Sequence, residues 1–166
     1  MHNKVKNLAF LGICVTLALG LAYIEALLPP IFSAVPGIKV GLPNIILIFL
    51  LYRKDVLSAA MVSLLRIALV ALLFGNTMAL FYSLAGGVLS MAVMALLKKL
   101  NILSVTGVSV AGAVTHNLGQ ILMAMLLLDT VELGFYFIVL AVTGTIAGIF
   151  IGLCGALLIQ RIPQRL

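Results

Sequence analysis

The stretch from Gly134 to Ile159 reads GFYFIVLAVTGTIAGIFIGLCGALLI and contains no charged side chain. About 20 predominantly apolar residues are enough for a helix to cross the hydrocarbon core of a bilayer, so this stretch can span it. Over all 166 residues, 64% are hydrophobic and 8% are charged, whereas about a quarter of a soluble domain is charged. The composition excludes a water-soluble globule and predicts an integral membrane protein.

Similar apolar runs, separated by charged or turn-forming residues, fill the rest of the chain. They predict six helices, at about Leu8–Leu28, Val40–Tyr52, Val56–Phe74, Met78–Leu97, Val105–Leu128 and Gly134–Ile159. The second run would be only about 20 Å long as a helix, so it is the least secure span. Because the connections are short, we expect one transmembrane domain over residues 1–166, an all-α six-helix bundle.

The lysine and arginine residues predict the orientation of this bundle. With the N-terminus in the cytoplasm, only Lys39 falls in an outer loop, and Arg66 lies within a span. The cytoplasmic set is then Lys4, Lys6, Arg53, Lys54, Lys98, Lys99, Arg161 and Arg165. Since basic residues in short loops stay on the cytoplasmic side, we expect a multi-pass protein of the cell membrane with both termini cytoplasmic. The net charge of +6 does not indicate nucleic-acid binding, because these residues form no single basic face.

Polar side chains interrupt the predicted spans, where an ionisable group costs from a few to more than about ten kcal/mol and usually faces a cavity or a partner. Glu25 and Arg66 fall in the outward halves of the first and third helices. His116 and Gln120 are four residues apart and therefore share one face of the fifth helix. The expected substrate-binding residues are Glu25, Lys39, Asn44, Arg66, Asn76, His116, Asn117 and Gln120.

The first outer loop, residues 29–44, is the longest, and its prolines favour extended or turned backbone. We expect it to close over the outward cavity as a lid. Lys39, Arg66 and His116 would present positive charge there, with Glu25 balancing one of them. A phosphate or a carboxylate is therefore an expected feature of the substrate.

Each of these polar groups also has a structural alternative. Glu25 and Arg66 would form an ion pair across two helices, since buried charges usually pair. The polar residues of the fifth helix would hydrogen-bond between helices, as such residues often do in membrane bundles. Lys39 would extend its amine to the lipid headgroups. These alternatives stay open at the level of sequence.

Catalytic and metal-binding motifs are not found in the sequence. It has no phosphate-binding G-x-x-x-x-G-K-[ST] loop, and its four carboxylates are too scattered to hold magnesium diphosphate. His116 has no nucleophile beside it, and Cys14 and Cys154 fit small packing residues better than a disulfide or metal site. We expect no enzyme activity, no metal and no cofactor, so an ion gradient or a partner must supply any energy.

Small residues recur every four positions on the first and last predicted helices. Such stripes let helix backbones approach closely in lipid, either within the subunit or against a partner. The stripes are Gly144, Gly148, Gly152 and Ala156 on the last helix, and Gly12, Thr16 and Gly20 or Cys14, Ala18 and Ala22 on the first. For the last helix we favour internal packing, whereas for the first helix both alternatives remain open.

Three stretches resemble a known family. They are Pro36–Asn44 (PGIKVGLPN), Ser83–Ser90 (SLAGGVLS) and Val108–Gln120 (VSVAGAVTHNLGQ). They resemble the Gx transporter family, also called the heptaprenyl diphosphate synthase component I family, and the resemblance covers nearly the whole chain. The third stretch is the most specific, because its Gly-Ala-x-x-His-Asn-x-Gly-Gln run is hard to obtain from composition alone.

This family is in turn similar to the substrate-binding S components of energy-coupling-factor (ECF) importers. The resemblance implies six helices, an outward pocket closed by the first loop, and small residues of the first helix in contact with a partner. In this sequence Ala18 and Ala22 match that contact motif. It also implies a transmembrane coupling subunit and separate ATPase subunits as partners.

The sequence thus leaves functions of different classes to be compared. The primary expectation is a transport protein of S-component type, which binds a small vitamin-like or cofactor-related molecule in an outward-facing pocket. The alternative is a non-catalytic membrane accessory subunit beside the catalytic subunit of a polyprenyl (heptaprenyl) diphosphate synthase. A weaker third hypothesis is a membrane component of a flavin or quinone electron-transfer system.

Overall fold

The structure, a computed structural model, describes residues 2–27 and 40–162, with side chains from residue 4 onward. The described residues form six α-helices and no strand, which confirms the predicted helical class. The helices are α1 (His2–Leu27), α2 (Asn44–Arg53), α3 (Val56–Leu73), α4 (Thr77–Leu100), α5 (Val105–Leu128) and α6 (Tyr136–Arg161). A short 3₁₀ segment, Val131–Phe135, leads into α6.

Five of these helices are long and apolar enough to cross a membrane. Their outer faces expose large apolar side chains, including Leu72 and Ile138, which would be costly in water and are natural in lipid. The chain is therefore a membrane-embedded, multi-pass protein.

The second run, the least secure of the six predicted spans, corresponds to the short helix α2. This helix has ten residues and is about 15 Å long, too short to cross the hydrocarbon core. It begins late because Gly41 has a left-handed φ of +80°, which a helix cannot contain, and because Pro43 occupies the N-cap position. All side chains from Ile46 to Leu51 are buried, so α2 forms part of the core that α1, α3 and α6 surround.

Capping side chains define where three of the long helices begin. Asp55, Asn76 and Ser104 accept hydrogen bonds from the backbone N–H three residues later, at 2.7, 2.8 and 3.2 Å, as N-cap residues do. At Asp55 the bonds from Ser58 lower the pKa of the carboxyl group. The connections that these three residues close are only two to four residues long, so that the helices they join run in opposite directions.

Glycines allow α6 to pack closely on α5. A Cβ atom at Gly148 would lie 2.7 Å from the Cα of Val110, and one at Gly152 would lie 2.7 Å from the Cα of Thr106. Real side chains do not fit at such distances from a neighbouring backbone. The glycine stripe of the last helix therefore packs within the subunit, as the favoured alternative predicted.

The two small-residue stripes of α1 face in different directions. Ala18 has no exposed surface and belongs to the hydrophobic core with Cys14. In contrast, Gly12 and Gly20 are exposed, and a Cβ atom at either position would meet nothing within 4 Å. Ala18 therefore packs against the core of this chain, and the predicted contact of Ala18 and Ala22 with a partner stays a prediction.

The two ends of the bundle differ in chemistry. At one end, Lys54 donates a hydrogen bond to Asn7 at 3.1 Å, Arg53 donates to the carbonyl of Ile159, and Lys98 donates to a carbonyl near the end of α2. We call this the basic end; α1 begins there, and α2, α4 and α6 finish there. The opposite end is the cavity end. Lys39 and Arg165 lie outside the described residues.

Candidate functional site

A cavity of about 280 Å³ lies at the cavity end, and residues from all six helices line it. Seven of the eight predicted binding residues are among its lining residues: Glu25, Asn44, Arg66, Asn76, His116, Asn117 and Gln120. The eighth, Lys39, falls outside the described residues, as does most of the predicted lid. The structure thus brings together side chains that are up to 95 positions apart in sequence (Glu25 to Gln120).

Polar and apolar side chains together line the cavity. Besides the polar groups of α5, the lining includes Ile67 and Val70 of α3 and Phe74, which follows that helix. The ring of Phe74 packs edge-on against Tyr23 of α1, with 5.9 Å between ring centroids. A site of this kind binds a ligand that has both an apolar body and a few polar groups.

Among the lysine and arginine residues that the structure describes, Arg66 lines the cavity. Its Nε atom is buried and has no hydrogen-bond partner. The charge of Glu25 acts on the guanidinium group through space, but among the described residues no ion pair within 4.0 Å joins the two side chains. The structure therefore does not contain the direct ion pair between Glu25 and Arg66 that was the structural alternative.

Glu25 connects the end of α1 to the turn before α2. Its Oε1 accepts a hydrogen bond from the backbone N–H of Gly41 at 2.6 Å. Only glycine suits this position, because φ is +80° and a Cβ atom would lie 2.9 Å from the Nδ2 of Asn44. Asn44, three residues after Gly41, lines the cavity together with Glu25.

A glycine of α4 makes room for two polar residues of α5. A Cβ atom at Gly86 would lie 2.9 Å from the Cγ of Gln120, 3.1 Å from the Cε1 of His116 and 2.6 Å from the backbone oxygen of His116. On the other helix, a Cβ atom at Gly119 would lie 2.8 Å from the Cα of Gly86. The two helices therefore meet at these glycines, and the close approach positions His116 and Gln120.

Gly144 of α6 makes room for the side chain of Asn117 on α5. The Nδ2 of Asn117 donates a hydrogen bond to the carbonyl of Leu140 at 2.7 Å, and a Cβ atom at Gly144 would lie 2.7 Å from that nitrogen. Interhelical hydrogen bonding, the structural alternative for α5, is thus present at Asn117, which also lines the cavity.

The glycines that build the site were not among the predicted site residues, although Gly144 was predicted to be a packing residue of the last helix. Gly41, Gly86 and Gly144 contribute no chemical group, so a search for chemistry-bearing side chains passes over them. A signal existed for two of them, because Gly41 and Gly86 lie in the PGIKVGLPN and SLAGGVLS stretches. Ser83, another lining residue, lies in the second stretch and was also missed.

The carboxylates and metal-type ligands of the chain are dispersed. In residues 2–27 and 40–162, no three His, Cys, Asp or Glu side chains come together as a candidate metal site. Of the four acidic residues, Glu25 lines the cavity, while Asp55, Asp129 and Glu132 lie near helix ends. The arrangement suits binding by hydrogen bonds and charge.

Comparison with known proteins identifies the family. A family model described as heptaprenyl diphosphate synthase component I matches residues 14–158. No curated protein and no solved structure matches the chain. Because the family match covers most of the sequence, and includes the residues that line the cavity, the chain belongs to the heptaprenyl diphosphate synthase component I family.

Proposed function

We propose that this chain is the substrate-binding subunit of a membrane transport system. It binds a small vitamin-like or cofactor-related molecule in the cavity, and partner subunits supply the energy that moves the molecule across the membrane. The observation that carries the proposal is that Glu25, Arg66 and the polar residues of α5 line one cavity between helices that are otherwise apolar. Ionisable groups at membrane depth usually mark substrate or ion pathways.

The distribution of charge supports an outward-facing cavity. The short segments at the basic end carry Lys and Arg, which favour the cytoplasmic side. The cavity lies at the opposite end of the bundle and would receive its ligand from outside the cell. Both termini are then cytoplasmic, where a transmembrane coupling subunit and ATPase subunits would act on the chain.

The same residues argue against catalysis by this chain alone. A prenyl diphosphate synthase needs grouped carboxylates that hold magnesium diphosphate, and Glu25 is the single carboxylate in the described lining of the cavity. We therefore propose a binding protein rather than an enzyme.

The test is mass spectrometry of small molecules that remain bound through purification in mild detergent. We expect a ligand with the wild-type chain and its loss in Arg66→Ala and His116→Ala, whose side chains line the cavity. Lys99→Ala is the matched control, because it removes an exposed cation at the basic end and should keep the ligand. Thermal unfolding of each variant checks that it is folded. Equal ligand retention in folded wild-type, Arg66→Ala and His116→Ala proteins would contradict the proposal.

The family description favours a second candidate, a non-catalytic membrane subunit of a heptaprenyl diphosphate synthase. In that case the partner is a prenyl synthase catalytic subunit, and the accessory role does not require a ligand to bind in the cavity. Synthase activity would then fall when this chain is removed and would be unaffected by Arg66→Ala. A reconstituted synthase that is fully active without the chain would eliminate this candidate.

A further inference from the structure

Two opposite charges line the cavity without touching each other. Arg66 and Glu25 are both lining residues, but no ion pair within 4.0 Å joins them among the described residues. Arg66 makes no hydrogen bond to the described residues, and its Nε is buried. Burying the guanidinium of Arg66 without a direct partner is costly in a low-dielectric site. A ligand that contacts both charges would reduce this cost.

Glu25 is held in place and retains capacity for a ligand. One carboxylate oxygen accepts the N–H of Gly41, and an ionised carboxylate has about four acceptor positions in total. The side chain is thus fixed at the end of α1 while it can still accept a hydrogen bond from a cationic or N–H group. The amides of Asn44 and Gln120 line the same cavity and make no hydrogen bond to other described residues.

The charges of the described lining residues bear on the charge of the ligand. Apart from His116, the described lining carries one guanidinium and one carboxylate, which sum to about zero. A simple anion would be attracted by Arg66 and repelled by Glu25. A diphosphate, with several negative charges, would be repelled further, whereas a molecule with one positive and one negative group matches both.

We infer that the ligand of this cavity is a small zwitterion, with a carboxylate that binds Arg66 and a protonated nitrogen that binds Glu25. The inference rests on the proposed binding function and specifies its substrate class. Arginine suits a carboxylate because its planar group donates two parallel hydrogen bonds. The cavity volume of about 280 Å³ lies near the lower end of the range found for small-molecule sites, which fits a small zwitterion.

The probes are ω-amino acids from glycine to 6-aminohexanoate, which vary the separation of the two charged groups. Pentanoate and pentylamine are matched compounds with one charged end each, and inorganic diphosphate represents the polyanion. Binding is measured as thermal stabilisation of the purified chain in lipid nanodiscs. We expect at least one ω-amino acid to bind about tenfold or more tightly than either single-ended compound, and diphosphate to bind more weakly still.

Two variants that remove one charge each separate the contributions of the two charges. Arg66→Gln should lose the ω-amino acid. Glu25→Gln keeps an oxygen that can accept the Gly41 N–H but removes the negative charge, so it should lose the preference for an amine and bind pentanoate more tightly than the wild type does. Lys99→Gln, at the basic end, should behave as the wild type.

The inference is overturned if pentanoate or diphosphate binds the wild type as tightly as the best ω-amino acid, or if no ω-amino acid stabilises it. Its failure is distinct from failure of the proposed function. A co-purified ligand that is lost when Arg66 is replaced, and that proves to be a diphosphate or an uncharged molecule, would overturn the zwitterion inference. The proposed substrate-binding function would still stand. A co-purified zwitterion that is lost in both Arg66→Gln and Glu25→Gln would support the zwitterion inference.

Discussion

At the scale of single residues, the site depends on where isolated charges and glycines are placed. Arg66 was predictable from sequence because a charged side chain in an apolar run must face a cavity or a partner. Its separation from Glu25 was not predictable. It depends on Glu25 reaching Gly41, which is 16 positions further along the chain. The role of Gly86 was not predictable either, although the residue lies in the SLAGGVLS stretch, since that role depends on how closely α5 approaches.

The hydrogen bond from Gly41 to Glu25 predicts different outcomes for two substitutions. Glu25→Gln should change stability little, because its side-chain oxygen can still accept the N–H of Gly41. Glu25→Ala should lower the free energy of unfolding by about 1–3 kcal/mol, because that N–H loses its partner. Thermal or denaturant unfolding in nanodiscs measures the difference. Equal stability of the two variants would show that the hydrogen bond does not hold the end of α1 to α2.

Adjacent glycines of α4 provide a second prediction at this scale. Gly86→Ala should cost about 1–3 kcal/mol and weaken ligand retention, because its Cβ would lie 2.6 Å from a backbone oxygen of α5. Gly87→Ala is the matched control. Its Cβ would meet the flexible end of Ile67, which can move, so the loss of stability should be smaller.

The same unfolding assay, combined with mass spectrometry of bound ligand, compares the two variants. If Gly87→Ala is the more damaging of the pair, then the close approach of α4 and α5 at Gly86 does not control the position of His116 and Gln120.

At the scale of elements, the apolar runs predicted the long helices well. The predicted and observed bounds of α3 differ by one residue, and those of α5 agree. Prediction was poorest for α2, where apolarity continues through Val40–Tyr52 but the backbone turns at Gly41 and Pro43. Hydropathy records burial of side chains and not backbone conformation, so it could not find the start of this helix.

The two faces of α1 show another limit of sequence patterns. Gly12, Thr16 and Gly20 follow the same four-residue spacing as Cys14, Ala18 and Ala22, and either stripe satisfies the rule for close helix packing. In the structure Cys14 and Ala18 are buried, and Ala22 lines the cavity. Side-chain volume alone does not determine which stripe faces the core.

Glycine substitutions on α1 and α6 test the observed packing. Gly148→Ala should lower stability by about 1–3 kcal/mol, because its Cβ would lie 2.7 Å from the Cα of Val110. Gly12→Ala should be neutral or should stabilise the helix by up to about 1 kcal/mol, since nothing lies within 4 Å of its Cβ. Unfolding of the isolated subunit in nanodiscs measures both. A larger loss for Gly12→Ala would mean that the exposed face of α1 is packed.

At the scale of the whole molecule, the basic residues of the short connecting segments and the cavity lie at opposite ends of the bundle. The alternation of basic segments predicted this separation, and the contacts of Lys54 with Asn7 and of Arg53 with the end of α6 are consistent with it. The orientation of the two ends in the membrane is our proposal. It determines from which side a ligand reaches the cavity.

Labelling of single cysteines in whole cells tests this orientation. With Cys14 and Cys154 replaced by serine, a membrane-impermeant thiol reagent should label Glu132→Cys, which lies at the cavity end, and should label Lys99→Cys only after the cells are broken. The side chains of Glu132 and Lys99 are both exposed. A difference in labelling between the two cysteines therefore reports the side of the membrane and not burial within the protein. The reverse labelling pattern would place the cavity on the cytoplasmic side.

The central claim is that polar residues from separate helices form one ligand-binding cavity. The most direct test is an experimental structure of the wild-type chain, isolated from its native membrane in complex with a rigid antibody fragment. The account predicts non-protein density in the cavity, in contact with both Arg66 and Glu25. A cavity that is filled only by protein side chains or by a lipid tail, with no polar contact to Arg66, would contradict it.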